Sequence, residues 1–156
     1  MRYRRTMAKI PSIEQTYLIG APPAKVFAAL TQPRELARWF VQSAVVELRE
    51  GGAYRLSWGP QVAMKGKVRS FTTPTKLVID WHDRMPGGKA FDTVAKFKLR
   101  KRGKGTVLIV THEGFRSGKA WVRLFGSVQS GWAYYLQNLK SVVEHGTDLR
   151  TEVDQL

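Results

Sequence analysis

The chain has 156 residues, no cysteine, and 26 lysines and arginines against 12 aspartates and glutamates, a net charge of +14. That length suits one domain with one core, and the missing cysteine excludes disulfides, thiolate metal sites and cysteine nucleophiles. The charge excess attracts polyanions and disfavours cationic partners, but a solvated basic surface is the first reading and nucleic acid is not the expected partner.

Residues 1–11 are basic and lack the apolar centre of a secretory signal. They are expected to form a disordered lead, with Met1 and Met7 as alternative starts. No run approaches the roughly 18 apolar residues of a membrane span. Together with the absence of cysteine, this points to a cytoplasmic protein.

Residues 11–20 alternate loosely and stop at Gly20, which predicts a first strand. Pro22 and Pro23 suit a helix start, where a missing N–H costs nothing. Val26, Phe27 and Leu30 share one face of that helix, and Pro33 stops it. A second short helix is predicted over 34–40, with Leu36, Trp39 and Phe40 on one side.

From Ser43 the period changes from 3.6 to 2. A strand at 44–47 turns at Glu50-Gly51-Gly52. Tyr54, Leu56 and Trp58 then alternate with polar residues, as do Met64, Gly66 and Val68 in the next run. Thr73-Pro74-Thr75 breaks the pattern. Leu77, Ile79 and Trp81 follow, then a turn at Pro86-Gly87-Gly88. Phe91, Ala95, Phe97 and Leu99 alternate up to a turn at 103–105. Leu108, Val110 and His112 complete the last run. Six strands in succession joined by short turns predict an antiparallel meander with one apolar face.

The period then returns to 3.6. Trp121, Phe125, Val128, Trp132, Tyr135, Leu136, Leu139, Val142 and Val143 build one stripe. The heaviest part runs from Gly131 to Gly146, with His145 in its last turn and Gly146 as a stop. Gly126 and Ser130-Gly131 are places where this helix could bend. Asn138 is read as lying on the polar side. The segment 147–156 reads as a polar tail that frays, leaving 12–146 as the single domain.

Five stretches, in this order, carry a resemblance: APPAKVFAALTQPRELARWF at 21–40, EGGAYRL at 50–56, GKVRSFTTPTKLVIDW at 66–81, TVLIVTHEGF at 106–115 and GWAYYLQNLKSVVEHG at 131–146. On these the chain resembles the SRPBCC superfamily, the START-like helix-grip fold. Within it the chain looks most like the branch of homologues of the activator of the heat-shock protein 90 ATPase. The resemblance implies an α+β fold: a curved seven-stranded antiparallel sheet, two short helices, and a long C-terminal helix packed across the sheet. It also implies an apolar cavity between that sheet and helix, with Tyr54, Leu56, Trp58, Met64, Trp81, Phe97 and His112 facing inward.

The functional reading is therefore a binder of a small apolar or amphipathic ligand, acting without a cofactor and as a monomer or homodimer. The expected ligand-facing residues are Trp58, Met64, Trp81, Phe97, His112, Trp121, Trp132 and Tyr135. Four of these are tryptophans suited to a flat apolar molecule; ordinary core packing is the competing reading. His112 is the one candidate acid or base, weighed against a histidine that hydrogen-bonds its surroundings. The expected polar partners across the cavity are Tyr54 and Tyr135. Its alternatives are a chaperone-associated module of the ATPase-activator kind, or a cyclase- or hydrolase-type enzyme using His112. No HExxH or other histidine spacing supports a metal. Arg123 is a further candidate at the cavity mouth. On the outer face Lys65, Lys67, Arg69, Lys96, Lys98 and Arg100 are expected to surround Asp80, with Phe71 as the lone exposed aromatic.

Overall fold

The computed structural model describes residues 11–84 and 90–150. The first strand, β1 (Ile13–Ile19), leads into helices α1 (Pro23–Thr31) and α2 (Pro33–Trp39). Then follow β2 (Ser43–Val46), β3 (Ala53–Gly59), β4 (Val62–Thr72), β5 (Lys76–Arg84), β6 (Ala90–Arg102), β7 (Gly105–Glu113) and the long α3 (Lys119–His145). The strands form one antiparallel sheet in the order β1-β7-β6-β5-β4-β3-β2. The meander β2–β7 is thus completed by the first strand pairing with the last. This is the α+β helix-grip architecture expected from the sequence.

The helical corner is built by its prolines. Each short helix has proline in its first turn, and α1 ends where Pro33 opens α2. Buried side-chain bonds brace the corner. Trp39 Nε1 donates to the Ala29 carbonyl at 2.8 Å, and the Tyr54 hydroxyl, from β3, donates to the Leu30 carbonyl at 2.8 Å. Each satisfies a carbonyl at the end of α1 that the helix leaves without a partner.

Helix α3 runs unbroken through Gly126 and Gly131 and ends at Gly146, whose φ of 73° is the left-handed conformation glycine adopts freely. Its C-terminal half is tied down on two sides. Glu144 accepts from the Gly20 N–H at 2.6 Å and pairs with Lys140 at 2.7 Å. Lys140 also donates to the Leu18 carbonyl, and Lys25 donates to the Val143 carbonyl at 3.0 Å. Trp132, Leu136, Leu139, Val142 and Val143 are buried against the inner face of the sheet.

Three expectations need correction. Asn138 is 1 % exposed, on the packed side of α3 rather than the polar side. Its Nδ2 donates to the Trp39 carbonyl at 2.8 Å and to Asp148 at 2.9 Å, and its Oδ1 accepts from the Leu149 N–H at 2.7 Å. The first part of the polar tail is therefore docked: Arg150 also reaches the Ala37 carbonyl at 2.9 Å. Residues 151–156, residues 1–10 of the basic lead and the turn at 86–88 lie outside the described residues.

The third correction concerns Phe71. A bulge between Val68 and Ser70 shifts the β4–β5 register, so that Phe71 pairs with the inward Leu77. The extra residue reverses the alternation, and Phe71 packs against the core. The outer face therefore keeps its basic side chains without that aromatic. Arg69 pairs there with Asp80 at 2.5 Å, as the strand alternation predicts.

Candidate functional site

The side chains of the inner face converge around Phe40, the residue that caps α2. Its ring stacks on Trp39 at 4.6 Å and meets Trp58, Trp132 and Tyr135 at 5.3, 5.5 and 5.0 Å. Trp81 in turn contacts Trp132 edge-on at 5.3 Å. Edge-to-face arrangements of this kind are favourable beyond the area they bury.

Beside this cluster, between β3, β5 and the first half of α3, lies a pocket of about 210 Å³. Its walls are Phe40, Trp58, Trp81, Trp132 and Tyr135, completed by Leu124, Val128 and Gly131 of α3. Ser127, Asp83 and Arg84 are its polar members. Trp58 is the extra residue of a second bulge, between Ser57 and Gly59. Its indole N–H is buried and has no acceptor among the described residues. An unmade bond of that kind costs about 1–3 kcal/mol, so the donor is available to a bound acceptor. Asp83 sits at the end of β5, and burial pushes its carboxyl above the ordinary carboxylate value, opposed by a hydrogen bond from the Trp81 side chain and by His82.

The pocket brings together Trp58, Trp81, Trp132 and Tyr135 of the expected residues. Met64 and Phe97 are buried in the core and do not line it. Trp121 lies apart, in a smaller cluster with Phe91, Phe115 and Leu124, edge-on to Phe91 at 4.6 Å and with the Arg116 guanidinium over its ring. Arg123 is exposed and outside the pocket wall.

His112 is fully buried but turned to the scaffold. Its Nδ1 accepts from the Trp132 indole N–H at 3.0 Å, and its Nε2 lies 2.6 Å from Thr93 Oγ1. An indole nitrogen can only donate, so Nδ1 is the bare nitrogen and Nε2 carries the proton toward Thr93. The Thr93 hydroxyl then points to the Trp81 carbonyl, at 3.4 Å. Burial lowers the His112 pKa to about 4. Both ring nitrogens are thus occupied by Trp132 and Thr93. Tyr54 does not supply these contacts, since its hydroxyl is bound at Leu30.

Sequence reasoning missed Phe40 and Asp83 as wall residues. Both had a signal. Asp83 continues the inward alternation Leu77, Ile79, Trp81, which makes it an acidic residue on an apolar face. Phe40 follows the buried Trp39 at the end of α2, where the chain turns under the sheet. Among the described residues no group of histidines and carboxylates has metal-site geometry, and no helix is long and apolar enough to cross a membrane.

This arrangement, a long helix gripped by a seven-stranded sheet, recurs in known proteins. The profile of the family described as Activator of Hsp90 ATPase homolog 1-like protein matches residues 20–144. The chain belongs to that family. No curated protein matches it. Among solved structures, a protein of Mesorhizobium loti superposes with a TM-score of 0.75 at 23% identity, covering 88% of this chain and 99% of the other. The Aha1 dimer of Colwellia psychrerythraea does so with a TM-score of 0.74 at 20% identity, over 88% and 99% of the two chains. An Hsp90 activator of Plasmodium falciparum gives a TM-score of 0.70 at 23% identity, over 85% and 95%. At these identities the likeness concerns the fold. These three structures share with this chain the sheet and the long helix.

Proposed function

We propose that this member of the Hsp90-activator-like family binds a small apolar or amphipathic molecule in the pocket between β3, β5 and α3. The observation that carries the reading is the pocket itself, about 210 Å³ with five aromatic rings in its wall. A cavity of about 150 Å³ holds benzene, so this one suits a molecule of one or two rings. Binding sites for small molecules typically combine apolar walls with a few polar groups, here Asp83, Arg84 and Ser127. The fixed role of His112 favours binding over catalysis by that residue.

Saturation-transfer NMR with 1-naphthol tests the reading. Gly131 lines the pocket, and a Cβ added there meets nothing within 4 Å. Gly131→Leu should therefore fill the pocket while leaving the helix intact. Transfer is expected in the wild type and should be lost in the variant. No transfer to the wild type, or undiminished transfer to Gly131→Leu, sinks the reading.

Family membership favours a second reading, a module that docks on a chaperone ATPase. It predicts that the protein binds the chaperone in a pull-down and raises its ATPase rate. If both measurements stay at background, this reading is excluded.

A further inference from the structure

We propose that the pocket selects an organic cation, a ligand carrying an alkylated ammonium group on a small apolar body. The inference rests on the pocket-binding reading above and names the chemistry of its ligand. Two features argue for a positive charge. The first is the wall: Phe40, Trp58, Trp81, Trp132 and Tyr135 present aromatic rings to one small volume. Ring faces attract cations, by up to about 2 kcal/mol when the contact is desolvated. The second is Asp83, in the same wall. It is partly buried, and among the described residues no lysine or arginine forms an ion pair with it. Arg84, the other charged member of the wall, is exposed.

A buried carboxylate without a cation is costly unless something compensates it. Its hydrogen bond from Trp81 and the neighbouring His82 compensate only in part, since the carboxyl remains shifted upward. An ammonium entering the pocket would supply the missing charge and meet the aromatic wall at once. The net charge of +14 opposes any cation at long range. That field is screened over about 8 Å at physiological salt, so it slows approach more than it weakens a contact made at Asp83.

Phenyltrimethylammonium and tert-butylbenzene have the same shape and differ in charge, and benzoate carries the opposite charge. Titrations read by tryptophan emission should give the cation at least about tenfold tighter binding than the hydrocarbon, since 1.4 kcal/mol is tenfold. Benzoate should bind most weakly. Asp83→Asn, checked for folding by circular dichroism, should bring the cation down to the level of the hydrocarbon. Equal binding of cation and hydrocarbon overturns the inference while leaving the pocket reading standing. So does a preference that survives Asp83→Asn. Failure of all three probes removes the pocket reading and the inference together. Should Asp83→Asn not fold, Phe40→Leu decides the same point: it should weaken the cation more than the hydrocarbon, and an equal loss for both overturns the inference.

Discussion

Trp132 donates its indole N–H to Nδ1 of His112 across 3.0 Å, joining the middle of α3 to β7. The bond fixes the imidazole in its neutral form. Protonation would place a second N–H against the indole donor in a fully buried site, and burial already lowers the pKa to about 4. The unfolded chain, with an ordinary histidine value near 6.5, takes up a proton that the folded chain refuses. Stability from this group is therefore full above pH about 6.5 and is lost as pH falls toward about 4. Denaturant unfolding of the wild type and His112→Gln at pH 7 and pH 4.5 should differ in slope with pH. The wild type should lose about 2 kcal/mol more than the variant on acidification. Parallel losses would mean that His112 titrates normally in the folded state.

Asn138 holds the tail. Its amide satisfies the Trp39 carbonyl, Asp148 and the Leu149 N–H together. Asn138→Ala should cost about 1–3 kcal/mol, because a buried polar group left without its partner costs its full desolvation energy. Truncation after Gly146 should also destabilise, through the lost docking of Asp148 and Arg150. The two changes share partners, so they should be strongly non-additive in a double-mutant cycle. Simple additivity in urea midpoints would show that the tail and Asn138 act independently.

Gly66 is a position where β4 and β5 come too close for a side chain. A Cβ there would lie 2.6 Å from the Asp80 carbonyl oxygen and 3.0 Å from the Met64 sulfur. Methionine can move; the strand backbone cannot do so without disturbing the β4–β5 ladder. Gly66→Ala should therefore destabilise by about 1–3 kcal/mol, the usual cost of overpacking, even though alanine is otherwise the better-behaved strand residue. A thermal midpoint equal to wild type would show that the ladder yields at this point.

The strands and helices were legible because the chain changes period cleanly, from 3.6 to 2 near Ser43 and back to 3.6 after Phe115. The inward sets Tyr54/Leu56 and Leu77/Ile79/Trp81 follow that pattern directly. What escaped depends on single residues that break it. Arg69 adds one residue to β4 and sends Phe71 inward, and nothing in the local alternation marks the insertion. Asn138 sits three residues after Tyr135, on the stripe by position, but its polarity hid it; its partners lie ten residues away and across on α2. The pocket was legible as four aromatic residues, Trp58, Trp81, Trp132 and Tyr135. Its depth was not, because Phe97 and Met64 face the same way and are simply covered by neighbours. Trp121 shares the helical stripe with Trp132, but α3 carries it past the sheet's centre to Phe91 and Phe115.

Two tryptophans in the same wall should respond unequally to loss of the indole nitrogen. Trp132 spends its N–H on His112, whereas that of Trp58 is buried with no acceptor among the described residues. Trp132→Phe strands the Nδ1 of a buried histidine and removes part of a buried ring, so it should cost about 2–4 kcal/mol. Trp58→Phe also loses ring area, but it removes an unsatisfied donor whose burial costs about 1–3 kcal/mol. The two effects offset, and the variant should stay within about 1 kcal/mol of the wild type. Urea midpoints of both variants check this at one pH. A Trp58→Phe loss as large as that of Trp132→Phe would show that the Trp58 nitrogen has a partner in solution, and that its bond is not free for a ligand.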